Sequence, residues 1–127
     1  MKTIINTKEA PQPIGPYNQA VAAGGFLFIS GQIAIDPNSG QLVTEDITTE
    51  THTVLKSLKA ILAEAGLSFD HIVKTTIFLS DMNNFALVNE IYGSYFSGNF
   101  PARETVEVSV LPKNVNVEIS AIAIKSS

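Results

Sequence analysis

The rhythm of apolar and polar positions changes several times along the chain, and each change marks an element. Two short apolar runs, Ala20-Val21-Ala22-Ala23 and Phe26-Leu27-Phe28-Ile29-Ser30-Gly31, flank Gly24-Gly25 and predict a β-hairpin. The turn Asp36-Pro37-Asn38-Ser39-Gly40 closes that region. From 48 to 65, Val54, Leu55, Leu58, Ile61, Leu62 and Ala65 recur at helical spacing, with Thr48 or Thr49 as N-cap and Gly66 just past the end. Residues 72–79, Ile-Val-Lys-Thr-Thr-Ile-Phe-Leu, are rich in β-branched and aromatic side chains and predict a strand. A second helix is predicted over 84–96, with Phe85, Val88, Ile91, Tyr92 and Tyr95 on one side and Gly98 beyond it. Strict alternation over 105–110, a turn over 111–116 and an apolar run over 117–124 predict two more strands, joined as a hairpin. Ahead of all these, residues 9–17 hold three prolines and a glycine, a stiff loop that presents Tyr17.

These elements follow one another with no internal repeat and no linker. One domain over 1–127 is expected, of the α+β class, in which both helices cover one face of a mixed sheet. The other face would carry residues such as Ile122 and Ile124 without cover, so self-association through it is expected.

Composition narrows the function. A chain of 127 residues has room for one core and buries about two thirds of its extended surface. Apolar residues make up 45% and charged residues 16%, which again suggests a buried subunit interface. No apolar run is long enough to span a bilayer, and the first residues lack the apolar core of a signal peptide, so no membrane partner and a cytoplasmic location are expected. With no cysteine, disulfides, thiolate metal sites and cysteine nucleophiles are excluded. A net charge of -4 and scattered lysines give no footprint for nucleic acid. His52 and His71 have no neighbours at ligand spacing and read as structural, so no metal is expected.

Against seven lysines the chain has one arginine, Arg103. A lone arginine suggests a position that needs a planar, two-pronged donor; the bland alternative is a solvated surface residue. It follows Phe100-Pro101-Ala102, where a loop becomes a strand and can fix a guanidinium. Glu118 sits between Val117 and Ile119 in the last strand, where a carboxylate is either at an exposed edge or there for a partner or a water. In a simple hairpin of 105–110 with 117–124, Glu118 faces Ser109. Arg103 then lies roughly 20 Å away at about 3.4 Å per residue. The two could then share a small ligand only from different subunits, or with an offset register.

Several ordered landmarks carry a family resemblance over nearly the whole chain: Ile14-Gly15-Pro16-Tyr17 with Gln19-Ala20, Phe28-Ile29-Ser30-Gly31-Gln32, Asp36-Pro37 with Gly40, Pro101-Ala102-Arg103, and Val117-Glu118-Ile119 with Ala121-Ile122-Ala123. They resemble the RidA/YjgF family. The resemblance implies a chorismate-mutase-like α+β fold and a homotrimer packed through its sheets, with ligand clefts between subunits. It implies deamination of 2-imino and 2-enamino acids such as 2-aminoacrylate and 2-iminobutanoate to 2-keto acids. Arg103 matches the family's carboxylate-binding arginine and Glu118 the glutamate beside the attacking water. Tyr17, Ser30, Gly31 and Asn89 match residues lining the cleft. Thr105 stands where many members have cysteine, and Asn18 where serine is commoner; the backbone N–H at 105 is expected to be what matters.

On this reading Arg103 grips the carboxylate, Glu118 holds or deprotonates water, and backbone N–H groups near Gly31 and Thr105, with the Ser30 hydroxyl, stabilise the tetrahedral centre. Tyr17 closes the pocket. No cofactor is required. The alternative is a non-catalytic protein of the same fold that binds or senses small carboxylates such as 2-keto acids. A ribonuclease fits poorly with an acidic, arginine-poor chain.

Overall fold

Eight principal elements build the fold in the computed structural model, which describes residues 1–125: β1 (Thr3–Ile5), β2 (Ala20–Ala23), β3 (Phe26–Gln32), α1 (Ile47–Glu64), β4 (Ile72–Leu79), α2 (Phe85–Gly93), β5 (Ala102–Glu107) and β6 (Val117–Ile124). The strands form one sheet in the order β1-β2-β3-β6-β4-β5. Only β4 and β5 run parallel; the other neighbours are antiparallel. The class is α+β, with both helices on one face of a mixed sheet.

That face holds the core. Val54, Leu55, Leu58, Ile61 and Leu62 of α1 are fully buried against β3 and β6, where Leu27, Ile29, Val117, Ile119, Ala121 and Ala123 alternate inward. Each of these large aliphatic side chains contributes about 1.5–3 kcal/mol on burial. The cap of α1 is Asp46, not Thr48 or Thr49: its Oδ1 accepts from the Thr49 backbone N–H at 2.7 Å. Gly66 then ends the helix at φ 76, a left-handed turn that favours glycine. Helix α2 is shorter than the pattern suggested. A 3₁₀ turn over Met82–Asn84 precedes it, and Tyr95 and Phe96 lie beyond its end while still packing on the core.

The expected hairpin of the last two strands does not form. β6 instead inserts between β3 and β4 and hydrogen-bonds along both of its edges, leaving none for β5. β5 pairs with β4 across the α2 crossover, in register Thr75 with Arg103 and Ile77 with Thr105. Its strand begins at Ala102, so Arg103 lies inside the strand. The joining segment takes a 3₁₀ turn over Pro112–Asn114, with Lys113 and Asn114 at positive φ. The buried carboxylate of Glu50 on α1 seats the start of β6. It accepts from the Asn116 backbone and side chain, both at 2.7 Å, and from Val117 N–H at 3.1 Å.

The sheet's other face is uncovered among the described residues and carries an apolar patch beside polar positions such as Lys74, Glu104 and Glu118. Phe26 and Phe28 are 44% and 46% exposed, and stand opposite Ile124 and Ile122; Phe78 stands opposite Val106.

Candidate functional site

The sequence-derived site residues separate into two groups. In the first, β5 projects Arg103 beneath α2, where Nη1 donates to Asn89 Oδ1 at 2.6 Å. The guanidinium carbon lies 5.2 Å from the Tyr92 ring centroid and 5.6 Å from that of Phe85. Two aromatic faces and one amide oxygen thus hold the cation. Among the described residues it has no carboxylate partner; the neighbouring Glu104 pairs with Lys74 instead. The rest of its donor fork remains available to an anion. Tyr92 is fixed in turn by a buried 2.7 Å hydrogen bond between its hydroxyl and Thr75 Oγ1. Burial raises the Tyr92 phenol above its ordinary range, against smaller opposing effects of Thr75 and Arg103.

Asn89, Tyr92, Gly93, Phe100, Pro101 and Arg103 line a cleft of about 450 Å³. Thr105 lies two residues along β5 on the same face as Arg103. Its Oγ1 is buried and, among the described residues, without a partner.

The second group gathers around a bulge in β3. One extra residue is accommodated between Ile29 and Gln32 opposite β6, and Gly31 of this bulge lies beside Glu118. The Glu118 side chain occupies the space above Gly31 so closely that any β-carbon there would collide with it. Ser30 donates its hydroxyl to Asn18 O at 2.7 Å and its N–H to Gln19 O at 2.9 Å, so the Ser30 proton is committed within the chain. The buried Gln19 amide stitches down the proline loop, accepting from Thr7 N–H at 2.8 Å and donating to Pro11 O at 2.9 Å. Tyr17, 48% exposed, stands on that loop and borders a cleft of about 410 Å³ with Ser30 and Phe28. Glu118 is half-buried, and desolvation alone raises its carboxyl above the ordinary glutamate value.

These two groups do not meet within one chain. Arg103 pairs with Thr75, and Thr75 with the buried Ala121, so Arg103 points to the helix side. Glu118 pairs with Phe78 and points to the uncovered side. A single chain therefore presents two half-sites on opposite faces of its sheet.

Sequence reasoning missed the cradle of Arg103. Phe85 and Tyr92 fit a helical apolar stripe and read as core; the available signal was Asn89, a polar residue amid that stripe. Glu50 was missed too, because an acidic residue in a first helical turn is ordinary. His52 and His71 are structural: His52 Nδ1 lies 2.8 Å from the Tyr95 hydroxyl, and His71 closes a capping box with Ser68.

Residues 7–125 match the family model described as Endoribonuclease L-PSP. The chain belongs to the RidA/YjgF family. A RutC family protein of Pyrococcus horikoshii is 55% identical over 98% of this chain and 99% of its own. The mouse 2-iminobutanoate/2-iminopropanoate deaminase is 48% identical over 98% of this chain and 93% of its own. Among solved structures, E. coli TdcF with bound serine superposes with a TM-score of 0.93 at 42% identity, covering 98% of this chain and 99% of that one. RidA/YjgF members of different names thus share this fold over essentially their full length. No described helix is long and apolar enough to cross a membrane.

Proposed function

We propose that this chain is a hydrolytic deaminase that converts small 2-imino and 2-enamino acids, such as 2-aminoacrylate and 2-iminobutanoate, to 2-keto acids and ammonia. The observation that carries the reading is Arg103, held by Asn89 and two rings at the edge of a cleft, with donors left over and no acidic partner among the described residues. Its fork grips the substrate carboxylate and fixes the position of C2. Glu118 takes a proton from water as the oxygen bonds to C2 and the C=N π pair moves to nitrogen. Glu118 returns that proton to the nitrogen and the C2 hydroxyl proton follows it; as the C–N bond breaks, its electron pair leaves with ammonia and the hydroxyl oxygen forms the keto C=O. A carboxyl raised by burial suits both steps. The deaminase name of the mouse relative and the bound serine of TdcF agree with a small amino-acid-like carboxylate as ligand.

Because Arg103 and Glu118 lie on opposite faces, the working site is composite. The Arg103 cleft of one subunit is completed by Tyr17, Gly31 and Glu118 of a neighbour, in a homotrimer closed through the uncovered sheet faces. The same separation favours a second reading, carboxylate binding or sensing without turnover, since the Arg103 half-site is built without Glu118. Generating the imine in situ with an amino-acid dehydratase and following keto-acid release decides between them. Acceleration by wild type, lost in Arg103→Ala and Glu118→Ala, supports the deaminase; equal rates with and without protein remove it.

A further inference from the structure

Asn89 and Gly93 stand four residues apart on α2, one above the other, on the side that faces Arg103. Asn89 holds the guanidinium, and one turn on the helix presents no side chain at all. Nothing in the backbone requires this. Gly93 is absent from the positive-φ glycines, and a β-carbon built on it meets nothing within 4 Å. A glycine within a helix is also the poorer helix former. Its missing side chain leaves that stretch of the cleft wall open.

The opening has apolar walls. Tyr92, Pro101 and Phe100 surround it, and Phe100, although 63% exposed, is braced edge-on against Phe96 at 5.9 Å between centroids. The cleft measures about 450 Å³ in the single chain, before a neighbouring subunit takes its share, a size within the range of pockets for small organic ligands. Its charged end, Arg103 with Asn89, and its aromatic end suit a carboxylate bearing a bulky apolar group.

We propose that the space between Gly93, Tyr92 and Phe100 is a side-chain subsite that accepts branched and aromatic 2-imino acids, and that Gly93 sets its size. This rests on Arg103 as the carboxylate anchor. The test is calorimetric titration with three 2-keto acids, 2-oxopropanoate, 4-methyl-2-oxopentanoate and 3-phenyl-2-oxopropanoate, on wild type, Gly93→Ala and Gly93→Leu. Leucine is the better helix former, so the fold is retained. Wild type should bind the two larger acids more tightly than 2-oxopropanoate. In Gly93→Leu that preference should fall by about tenfold or more, the scale on which hydrophobic pockets discriminate, with Gly93→Ala in between. A preference unaltered by Gly93→Leu, or a wild type that favours 2-oxopropanoate, overturns the subsite. Keto-acid release from the matching imines separates the two ideas: a size preference in binding without turnover keeps the subsite and removes the deaminase.

Discussion

The carboxylate of Glu118 lies over Gly31, where a β-carbon would stand 1.9 Å from Oε2. Only a residue without a side chain permits this. In Gly31→Ala the flexible end of Glu118 yields more readily than the strand does, so the chain should fold with a thermal midpoint close to wild type. Its deaminase rate should drop toward that of Glu118→Ala, about 10²–10⁴-fold for loss of a positioned proton-transfer group. Circular dichroism melts beside keto-acid assays check this; a fully active Gly31→Ala would show that the position of Glu118 is unimportant.

Burial raises the Glu118 carboxyl in the folded chain. The folded state therefore holds a proton that the unfolded state has released, and stability falls as pH rises from the ordinary value of 4.5 through the raised one. Glu118→Gln removes that slope. Denaturant midpoints of wild type and Glu118→Gln measured across the window should diverge in favour of the variant as pH rises. The basic form of Glu118 should also set the acid limb of kcat/KM, above 4.5.

A composite site makes the two null variants complementary. Arg103→Ala and Glu118→Ala chains, each inactive alone, should regain about a quarter of wild-type activity when co-expressed in equal amounts, as random assembly places an intact Arg103 beside an intact Glu118 in that share of sites. Activity assays on the purified mixed oligomer read this out. No recovery would show that Arg103 of one subunit and Glu118 of another do not form a shared site.

Assembly through the uncovered face predicts that Phe28→Glu, opposite Ile122, yields a smaller particle by sedimentation and no turnover. An unchanged mass would assign the oligomer, if any, to another surface.

Glu50→Ala leaves three N–H groups at the start of β6 without their acceptor. A loss of about 1–3 kcal/mol is expected in urea unfolding, the cost of leaving the buried Val117 N–H unpaired, with the half-buried Asn116 donors adding to it. Glu50→Gln, which retains one acceptor oxygen, should lose less.

Much of this protein was legible in its sequence. The period of α1 encodes which of its faces is buried, and the turn glycines mark where elements end, because both depend only on a residue's neighbours along the chain. The types and settings of Arg103 and Glu118, with the ordered motifs, marked the candidate site residues. Tyr92, Phe85 and Gly93 were not legible as parts of it: a ring that stacks on a guanidinium and one that fills a core occupy the same helical positions, and a glycine that leaves room looks like one that ends a helix. Strand order was not legible either. A turn between adjacent β runs suggests a hairpin, yet β6 pairs with β3 and β4, where α1 buries its apolar face against β3 and β6. The same pairing sends Arg103 and Glu118 to opposite faces. Local pattern thus determined what each residue is suited to do, and only the long-range pairing of strands decided which residues share a side.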